Sequence, residues 1–277
     1  MYISEINIYP VKSLAGISLD KSKIERRGLE FDRRWMLIDE NNKFLTQREF
    51  PKMAMVKTEI LPDALQVSCN GDRLEIAFEP QTKETESVKI WSSRCRAKVY
   101  ESAVNEWFSG VLQTNCRLAR MPVETERRVN YFYAVNKDDH VSFADAYPFL
   151  IIGENSLKDL NSRLAEDLPM NRFRPNFVAA GSESFAEDGW KKIKIGETVF
   201  HVVKPCARCV ITTIEQATGE KQGTEPLKTL AEFRIPKRSI KKKILFGQNL
   251  IAETAGAVLR VGDRIEILET KRAPKFL

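Results

Sequence analysis

The sequence has few of the residues that usually bind metals and no segment long enough to cross a membrane. It contains two histidines, His140 and His201, and five cysteines without the spacing of a disulfide framework. Its longest apolar run, Phe149 to Ile152, is much shorter than the roughly 20 residues that span a bilayer. The N-terminus shows no basic segment followed by an apolar core, so we expect no secretory signal. Free thiols without a signal predict a reducing compartment, the cytoplasm, and no membrane partner.

The composition is that of a globular protein with a substantial core. Of the 277 residues, 43% are hydrophobic and 30% are charged, and this length suits one large domain or two moderate ones. The net charge of +6 favours an acidic partner or an anionic ligand.

Short segments with alternating or β-branched residues predict a mainly β fold. Tyr2 to Tyr9 is typical of a strand, and the apolar run Trp35 to Ile38 returns through Phe44 to Thr46 as a hairpin. Further strands are predicted at Lys57 to Leu61, Leu65 to Cys69, Leu74 to Phe78, Ser87 to Ile90, Phe149 to Ile152, Trp190 to Ile195, Thr198 to Val203, Val210 to Ile214, Leu245 to Leu250 and Val258 to Ile267. Helical spacing predicts one helix from Ala103 to Leu112 and another from a capping box at Ser156 to Leu168.

Two cysteines lie three positions apart, in Pro205-Cys206-Ala207-Arg208-Cys209. A thiolate is the form of cysteine that binds metal or attacks, and a neighbouring cation favours it. A structural zinc site needs four ligands, and the sequence has no second cysteine pair and no histidine with ligand spacing. A thioredoxin-like dithiol needs a neighbouring helix, whereas a strand is predicted over residues 210–214. Two interpretations stay open: one thiolate bonded to a soft metal, or two buried inert cysteines.

Several basic residues lie in turns where they could bind an anion. Lys12-Ser13 follows the first strand, and an ammonium, a hydroxyl and loop amides suit a phosphate. Arg33 and Arg34 point to opposite sides of the next strand, so one could face a ligand while the other is solvated. Arg174, extended by the proline after it, is presented beside Asn176. Each of these features, taken alone, is more often solvated surface.

The segment Lys237 to Lys243 is the densest cluster of positive charge. Such a run is usually a solvated loop. It has no interleaved aromatic side chains on which bases could stack, so we do not expect nucleic acid as a partner.

Five short motifs occur in the order found in one known family. They are Asp32-Arg33-Arg34-Trp35, Ser142-Phe143-Ala144-Asp145, Phe173-Arg174-Pro175-Asn176, Cys206-Ala207-Arg208-Cys209 and Phe246-Gly247-Gln248-Asn249. The chain resembles the MOSC-domain molybdenum-cofactor proteins that carry a MOSC N-terminal β-barrel domain. It is similar to the bacterial YcbX type and to the amidoxime-reducing components of eukaryotes. The resemblance extends from Tyr9 to Asp263.

The resemblance implies a mainly β (α+β) fold and a molybdenum cofactor, Mo-molybdopterin. An N-terminal β-barrel-like domain would span residues 1–118, and a MOSC β-barrel with a few peripheral helices would span 119–270. Cys209 matches the family's metal ligand, whereas Cys206 matches a position that is not a ligand. The positions that match those holding the pterin and its phosphate are Lys12, Ser13, Arg33, Arg174, Asn176, Ala207, Arg208 and Asn249. Ala207 stands where a serine is common, and Asn249 stands where eukaryotic members have a tyrosine.

The activity that the resemblance implies is reduction of the N–OH bond in hydroxylaminopurines, amidoximes or hydroxylamines. Asp145 is a candidate general acid for this reaction. The chain lacks the cysteine spacing of the ferredoxin domain that YcbX-type proteins often carry, so we expect a separate donor: a ferredoxin, a flavodoxin or a flavin reductase. One alternative is a carrier of the cofactor or of sulfur, because MOSC domains also occur in molybdenum-cofactor sulfurases. A second is a redox-sensing dithiol without metal.

Overall fold

The computed structural model describes residues 1–237 and 240–276, and most of its regular structure is β. The strands are β1 (Tyr2–Ile8), β2 (Ile17–Leu19), β3 (Lys21–Glu25), β4 (Gly28–Leu29), β5 (Trp35–Ile38), β6 (Lys57–Ile60), β7 (Ala64–Cys69), β8 (Asp72–Ala77), β9 (Thr85–Ile90), β10 (Ser93–Val99), β11 (Arg117–Arg120), β12 (Phe149–Gly153), β13 (Phe177–Ala180), β14 (Trp190–Ile195), β15 (Thr198–Ala207), β16 (Leu245–Ala252), β17 (Val258–Arg260) and β18 (Ile265–Thr270). The α-helices of the described residues are α1 (Ser102–Leu112), α2 (Glu154–Asn161) and α3 (Leu227–Phe233). The predicted mainly β, α+β class is confirmed.

Eight strands form the largest sheet, in the order β18-β14-β15-β16-β12-β13-β1-β2. Its pairs are antiparallel except β12 and β13, which are parallel and joined by a connection that contains α2. Strands β1 and β2 come from the start of the chain, yet they pair beside β13 from the second half. The domain boundary near residue 118 stays a prediction. Strands from both sides of it pair in this sheet.

Smaller sheets occupy most of the first half of the chain. Their strand orders are β5-β11-β10-β9, β6-β7-β8 and β17-β3-β4. Trp35 and Phe108 are fully buried in the apolar core beneath the first two of these sheets. Phe149, Phe177 and Phe200 pack together in the core of the eight-stranded sheet. These cores hold the loops at the strand ends in fixed positions. In the described part of the chain, no helix is long and apolar enough to cross a membrane.

The predicted strand from Val210 to Ile214 is wrong, because Val210–Thr213 form a 3-10 turn. The hydroxyl of Thr212 donates to the carbonyl of Cys209 at 3.0 Å, and that of Thr213 donates to the carbonyl of Val210 at 2.8 Å. Such local bonds compete with strand pairing. The preceding strand β15 is longer than predicted and includes the first cysteine of the pair.

The expectations for Ser156 and Arg34 are also corrected, because both residues take part in contacts with charged side chains. The capping role expected for Ser156 is wrong: α2 begins at Glu154, and the Ser156 hydroxyl donates instead to the buried carboxylate of Glu187 at 2.8 Å. The helix ends at Asn161, well before the predicted end at residue 168. Arg34 is not solvated but buried, where its Nη2 binds Glu25 at 2.6 Å.

Candidate active site

The residues predicted to bind cofactor and substrate surround one cleft. They are Lys12, Ser13, Arg33, Asp145, Arg174, Asn176, Ala207, Arg208, Cys209 and Asn249. Strand register explains their convergence. Ile6 of β1 pairs with Phe177 of β13, so the turn after β1 lies beside the turn before β13. Leu150 of β12 pairs with Asn249 of β16, which also borders the end of β15. The cleft opens to solvent.

Cys209 directly precedes the 3-10 turn, and its partly exposed side chain lines the cleft. Its backbone is extended, and its carbonyl accepts the hydrogen bond from Thr212. Nη2 of Arg48 donates to the Cys209 sulfur at 3.3 Å. This contact ties the sulfur of Cys209 to the segment that follows the first hairpin.

The other cysteine of the pair has a different environment. Cys206 lies in β15 and packs against the apolar cluster that contains Phe173 and Phe246. Packing against this cluster raises the pKa of the Cys206 thiol by desolvation, although its side chain is partly exposed and lines the cleft. Cys69, Cys95 and Cys116 are free thiols buried elsewhere. The assignment of Cys209, and not Cys206, as the metal ligand stays a prediction.

Lys12 and Asp145 form an ion pair at the edge of the cleft. Nζ of Lys12 donates to Oδ1 of Asp145 at 2.5 Å and to the Phe143 carbonyl at 2.9 Å. Burial by itself would raise the pKa of Asp145, but the charge of Lys12 and hydrogen bonds from Lys12 and Trp91 bring it well below its usual range. Burial lowers the pKa of Lys12, against the attraction of Asp145. Asp145 is therefore a carboxylate at neutral pH, which argues against the general-acid role predicted for it.

Two arginines lie against the ring of Tyr9 in the turn after β1. The guanidinium carbon of Arg33 is 4.3 Å from the ring centre, and that of Arg174 is 4.1 Å from it. The Tyr9 hydroxyl donates to the Pro175 carbonyl at 3.1 Å, and burial raises its pKa to about 12. Arg33 is also held by Asp32, whose Oδ2 is 2.7 Å from its Nη1.

Arg174 has no such anionic partner. Among residues 1–237 and 240–276, no acceptor takes a hydrogen bond from its guanidinium. Desolvation lowers the pKa of Arg174 to about 10. Arg174 is partly exposed in the cleft, and a guanidinium suits an anion with two acceptor oxygens. Arg174 is thus a cation held on Tyr9, facing the cleft, without an acceptor from the described protein.

Three of the cleft residues have left-handed backbone conformations that are uncommon outside glycine. The φ angles are +68° at Ser13, +51° at Arg33 and +54° at Arg174. Such conformations cost free energy and persist where the surrounding structure enforces them, often at functional sites. The extended conformation predicted for Arg174 from the proline after it is wrong, and no sequence signal at these positions predicts the left-handed turns.

Arg208 is fixed by carbonyl groups from two neighbouring segments. Its Nε donates to the Phe246 carbonyl and its Nη1 to the Phe173 carbonyl, each at 2.8 Å. Its Nη2 is buried and makes no hydrogen bond within the described residues. A Cβ on Gly247 would come 3.4 Å from that nitrogen and 2.6 Å from Ile152, so only glycine fits there. Arg208 therefore holds its own loop and keeps one donor unused.

The two predicted asparagines are engaged with the protein itself. Nδ2 of Asn176 donates to the Asn7 carbonyl at 3.1 Å, and its Oδ1 accepts from the Leu150 amide at 3.2 Å. Nδ2 of Asn249 donates to the Lys204 carbonyl at 3.0 Å. Ala207 is exposed and has no polar side-chain atom. These residues shape the wall of the cleft, and their predicted contacts with a cofactor stay predictions.

Some cleft residues were missed by the sequence analysis. They include Thr46, Arg48, Tyr147 and Arg172. Arg172 is buried behind the Cys209 loop, where its Nη2 binds Glu215 at 2.6 Å. Arg48 follows the first hairpin, just as Lys12 and Arg33 lie at strand ends. That shared position is the one signal that could have identified it.

The chain matches two family models in sequence. The MOSC N-terminal beta barrel domain matches residues 1–115, and the MOSC domain matches residues 138–266. Mitochondrial amidoxime-reducing component 1 of Mus musculus is 31% identical over 96% of this chain and 82% of its own length. This chain belongs to the MOSC family.

Other relatives of this MOSC protein carry two different names. Mitochondrial amidoxime reducing component 2 of Bos taurus is 30% identical over 95% of this chain and 82% of its own length. Molybdenum cofactor sulfurase of Arabidopsis thaliana is 33% identical over 95% of this chain but only 35% of its own length. The MOSC protein therefore corresponds to most of the amidoxime-reducing components and to about a third of the sulfurase.

Proposed function

We propose that this MOSC protein binds the molybdenum cofactor in the cleft and reduces N-hydroxylated compounds. The observation that carries the proposal is that one cleft is lined by Cys209, a partly exposed thiol beside the guanidinium of Arg48, and by Arg174, a partly exposed cation that donates no hydrogen bond within the described residues. The cofactor has matching parts: a soft metal that takes a thiolate and a pterin that ends in a phosphate. The names of the amidoxime-reducing relatives support the same reaction class.

The donor set of the cleft fits that cofactor. Cys209 would ligate the metal, and Lys12, Ser13, Arg33, Arg174 and Arg208 would hold the pterin and its phosphate, with Asn176, Ala207 and Asn249 shaping the wall. The guanidinium of Arg174, which lines the cleft and donates no hydrogen bond within the described residues, is the donor that the described protein leaves available. When bound, the cofactor supplies the two electrons that break the N–O bond.

The reaction consumes two protons, replaces the N–O bond by an N–H bond and releases water. Asp145 cannot give up a proton while it is ionised. Asp145 instead keeps the ammonium of Lys12 charged and in place through their 2.5 Å contact, and the protons are drawn from the solvent that reaches the cleft.

The electrons are proposed to come from a separate protein, a ferredoxin, a flavodoxin or a flavin reductase. Such donors tend to be acidic, and the basic run from residue 237 to 243 is a candidate docking surface. Its members Lys241, Lys242 and Lys243 are exposed, while Arg238 and Ser239 lie outside the described residues. Neutralising these three lysines should lower donor-dependent turnover and leave turnover with a chemical reductant unchanged. Equal donor-dependent turnover would remove the docking surface from the proposal.

We place the protein in the cytoplasm and its substrates among small molecules: hydroxylaminopurines, amidoximes and hydroxylamines. Five cysteines without a disulfide suit a reducing compartment.

The decisive experiment uses protein from a host that makes the cofactor. We expect about one molybdenum per chain and, with a chemical reductant, conversion of benzamidoxime to benzamidine and of 6-hydroxylaminopurine to adenine. Cys209→Ser should keep the fold and lose metal and turnover, whereas Cys206→Ser should keep both. Turnover by Cys209→Ser would refute the ligand assignment.

The second candidate function is a carrier of the cofactor or of sulfur. It is favoured by the similarity to the Arabidopsis thaliana sulfurase over 95% of this chain. A carrier would contain molybdenum but reduce neither substrate. Metal content with no turnover would therefore select it over the reductase.

A further inference from the structure

Arg48 contacts the sulfur of Cys209 but belongs to none of the motifs that carry the family resemblance. The two residues are 161 positions apart in sequence. The Arg48 guanidinium lies over the ring of Trp91, with its carbon 4.7 Å from the ring centre, and donates to the sulfur at 3.3 Å. An arginine stacked on an indole has less freedom to leave its acceptor than an unsupported one.

Trp91 is itself held in an uncommon conformation. It lies in the turn between β9 and β10 with φ of +53°, a region that bulky side chains seldom occupy. Its Nε1 donates to Oδ1 of Asp145 at 3.1 Å, and its ring packs edge-on against Phe44 at 5.1 Å between centres. Strain of this kind persists where the surroundings enforce it, commonly at functional sites. The indole is thus fixed between the Asp145 carboxylate and the Arg48 guanidinium.

We propose that Arg48 is a positioning residue that holds the sulfur of Cys209 and sets how strongly this sulfur donates electrons to the bound metal. Trp91 orients Arg48, and Asp145 orients Trp91. The inference rests on the proposed binding of the cofactor. Hydrogen bonds to a ligating sulfur are among the features by which proteins set the potential of a metal centre. A fixed cation stabilises the reduced, more negative state, so Arg48 raises the reduction potential of the metal.

The test compares cofactor-loaded wild type with Arg48→Gln, Arg48→Lys and Arg73→Gln. Arg73 is exposed and does not line the cleft, so its variant controls for the loss of one positive charge. The measurements are molybdenum per chain and the midpoint potential of the metal from a titration followed by electron paramagnetic resonance. Neither depends on turnover.

We expect Arg48→Gln to keep its metal and show a lower midpoint potential, Arg48→Lys to lie between it and the wild type, and Arg73→Gln to match the wild type. The kcat of Arg48→Gln for benzamidoxime should change roughly tenfold or more with KM retained, because the potential of the metal sets the driving force of electron transfer to the substrate. An unchanged potential overturns the proposal. So does a raised KM at unchanged potential, which would make Arg48 a substrate-binding residue.

Loss of metal from Arg48→Gln would also be decisive. If Arg48→Lys restores the metal, the cation beside the sulfur is what the site requires, and the proposal stands. If lysine does not restore it, the proposal falls. A wild-type protein that contains molybdenum but reduces no N-hydroxylated compound would refute the proposed function alone, because the potentials of the variants can still be compared.

Discussion

The guanidinium of Arg174 lies 4.1 Å from the centre of the Tyr9 ring and forms no ion pair within the described residues. Tyr9 comes from the turn after the first strand, and Arg174 comes from the turn before β13. Their contact joins the two ends of the cleft wall. It also holds the positive charge of Arg174 in the cleft, where a phosphate would neutralise it.

The first prediction concerns this unpaired charge. Arg174→Met should change the free energy of unfolding of the cofactor-free protein by no more than about 1 kcal/mol, because the partly exposed guanidinium forms no ion pair in the described residues and loses only its contact with the Tyr9 ring. The same variant should lose most of its molybdenum. Arg33→Met is the matched control: it breaks the ion pair with buried Asp32 and should lower the free energy of unfolding. Urea unfolding and metal analysis measure both effects. A destabilised Arg174→Met protein would show that Arg174 has a structural role.

The second prediction separates the ring of Tyr9 from its hydroxyl. Tyr9→Phe removes the bond to the Pro175 carbonyl and should cost about 1 kcal/mol of stability with metal content retained. Tyr9→Leu also removes the aromatic surface under two guanidinium groups and should lower the metal content below that of Tyr9→Phe. The comparison is made by urea unfolding and by molybdenum per chain. Equal metal content in the two variants would contradict a role for the ring.

The third prediction concerns acid stability. The folded pKa of Asp145 lies below its ordinary value of 3.8, so its contribution to stability is present above that value and is lost as the pH falls through the folded pKa. Asp145→Asn should therefore be less stable than the wild type at pH 7, and the difference should shrink below about pH 4. Urea unfolding of both proteins between pH 7 and pH 3 measures it. A difference that is constant over this range would exclude the ion pair with Lys12 as its origin.

The fourth prediction uses two glycines in opposite settings. Gly247 has φ of +79°, and a Cβ there would lie 2.6 Å from Ile152 and 2.9 Å from the Ile151 carbonyl. Gly247→Ala should cost about 1–3 kcal/mol and disturb the neighbouring Arg208. Gly110 lies in α1 with open space around it, so Gly110→Ala should stabilise the protein by about 0.5–1 kcal/mol. Thermal and urea unfolding compare the two, and an equal effect would show that the contacts around Gly247 can relax.

The local patterns of the sequence were sufficient for much of the architecture. Alternating residues predicted β1, β7 and β14, a continuous apolar run predicted β12, and helical spacing predicted α1, because the pattern of buried positions is local to each segment. Patterns failed where a buried group from elsewhere decided the conformation. Ser156 became a partner of Glu187, and the hydroxyls after Cys209 bonded to local carbonyls.

By itself, the sequence determined the β-rich class, the paired cysteines and, through the family's motifs, ten residues that line one cleft. Only the tertiary structure decided three features: the left-handed turns at Ser13 and Arg174, the apolar packing of Cys206, and the contact of Arg48 with Cys209. Their cause is physical: a residue's charge state and backbone strain depend on neighbours that the strand register brings from distant parts of the chain. No local pattern encodes those neighbours.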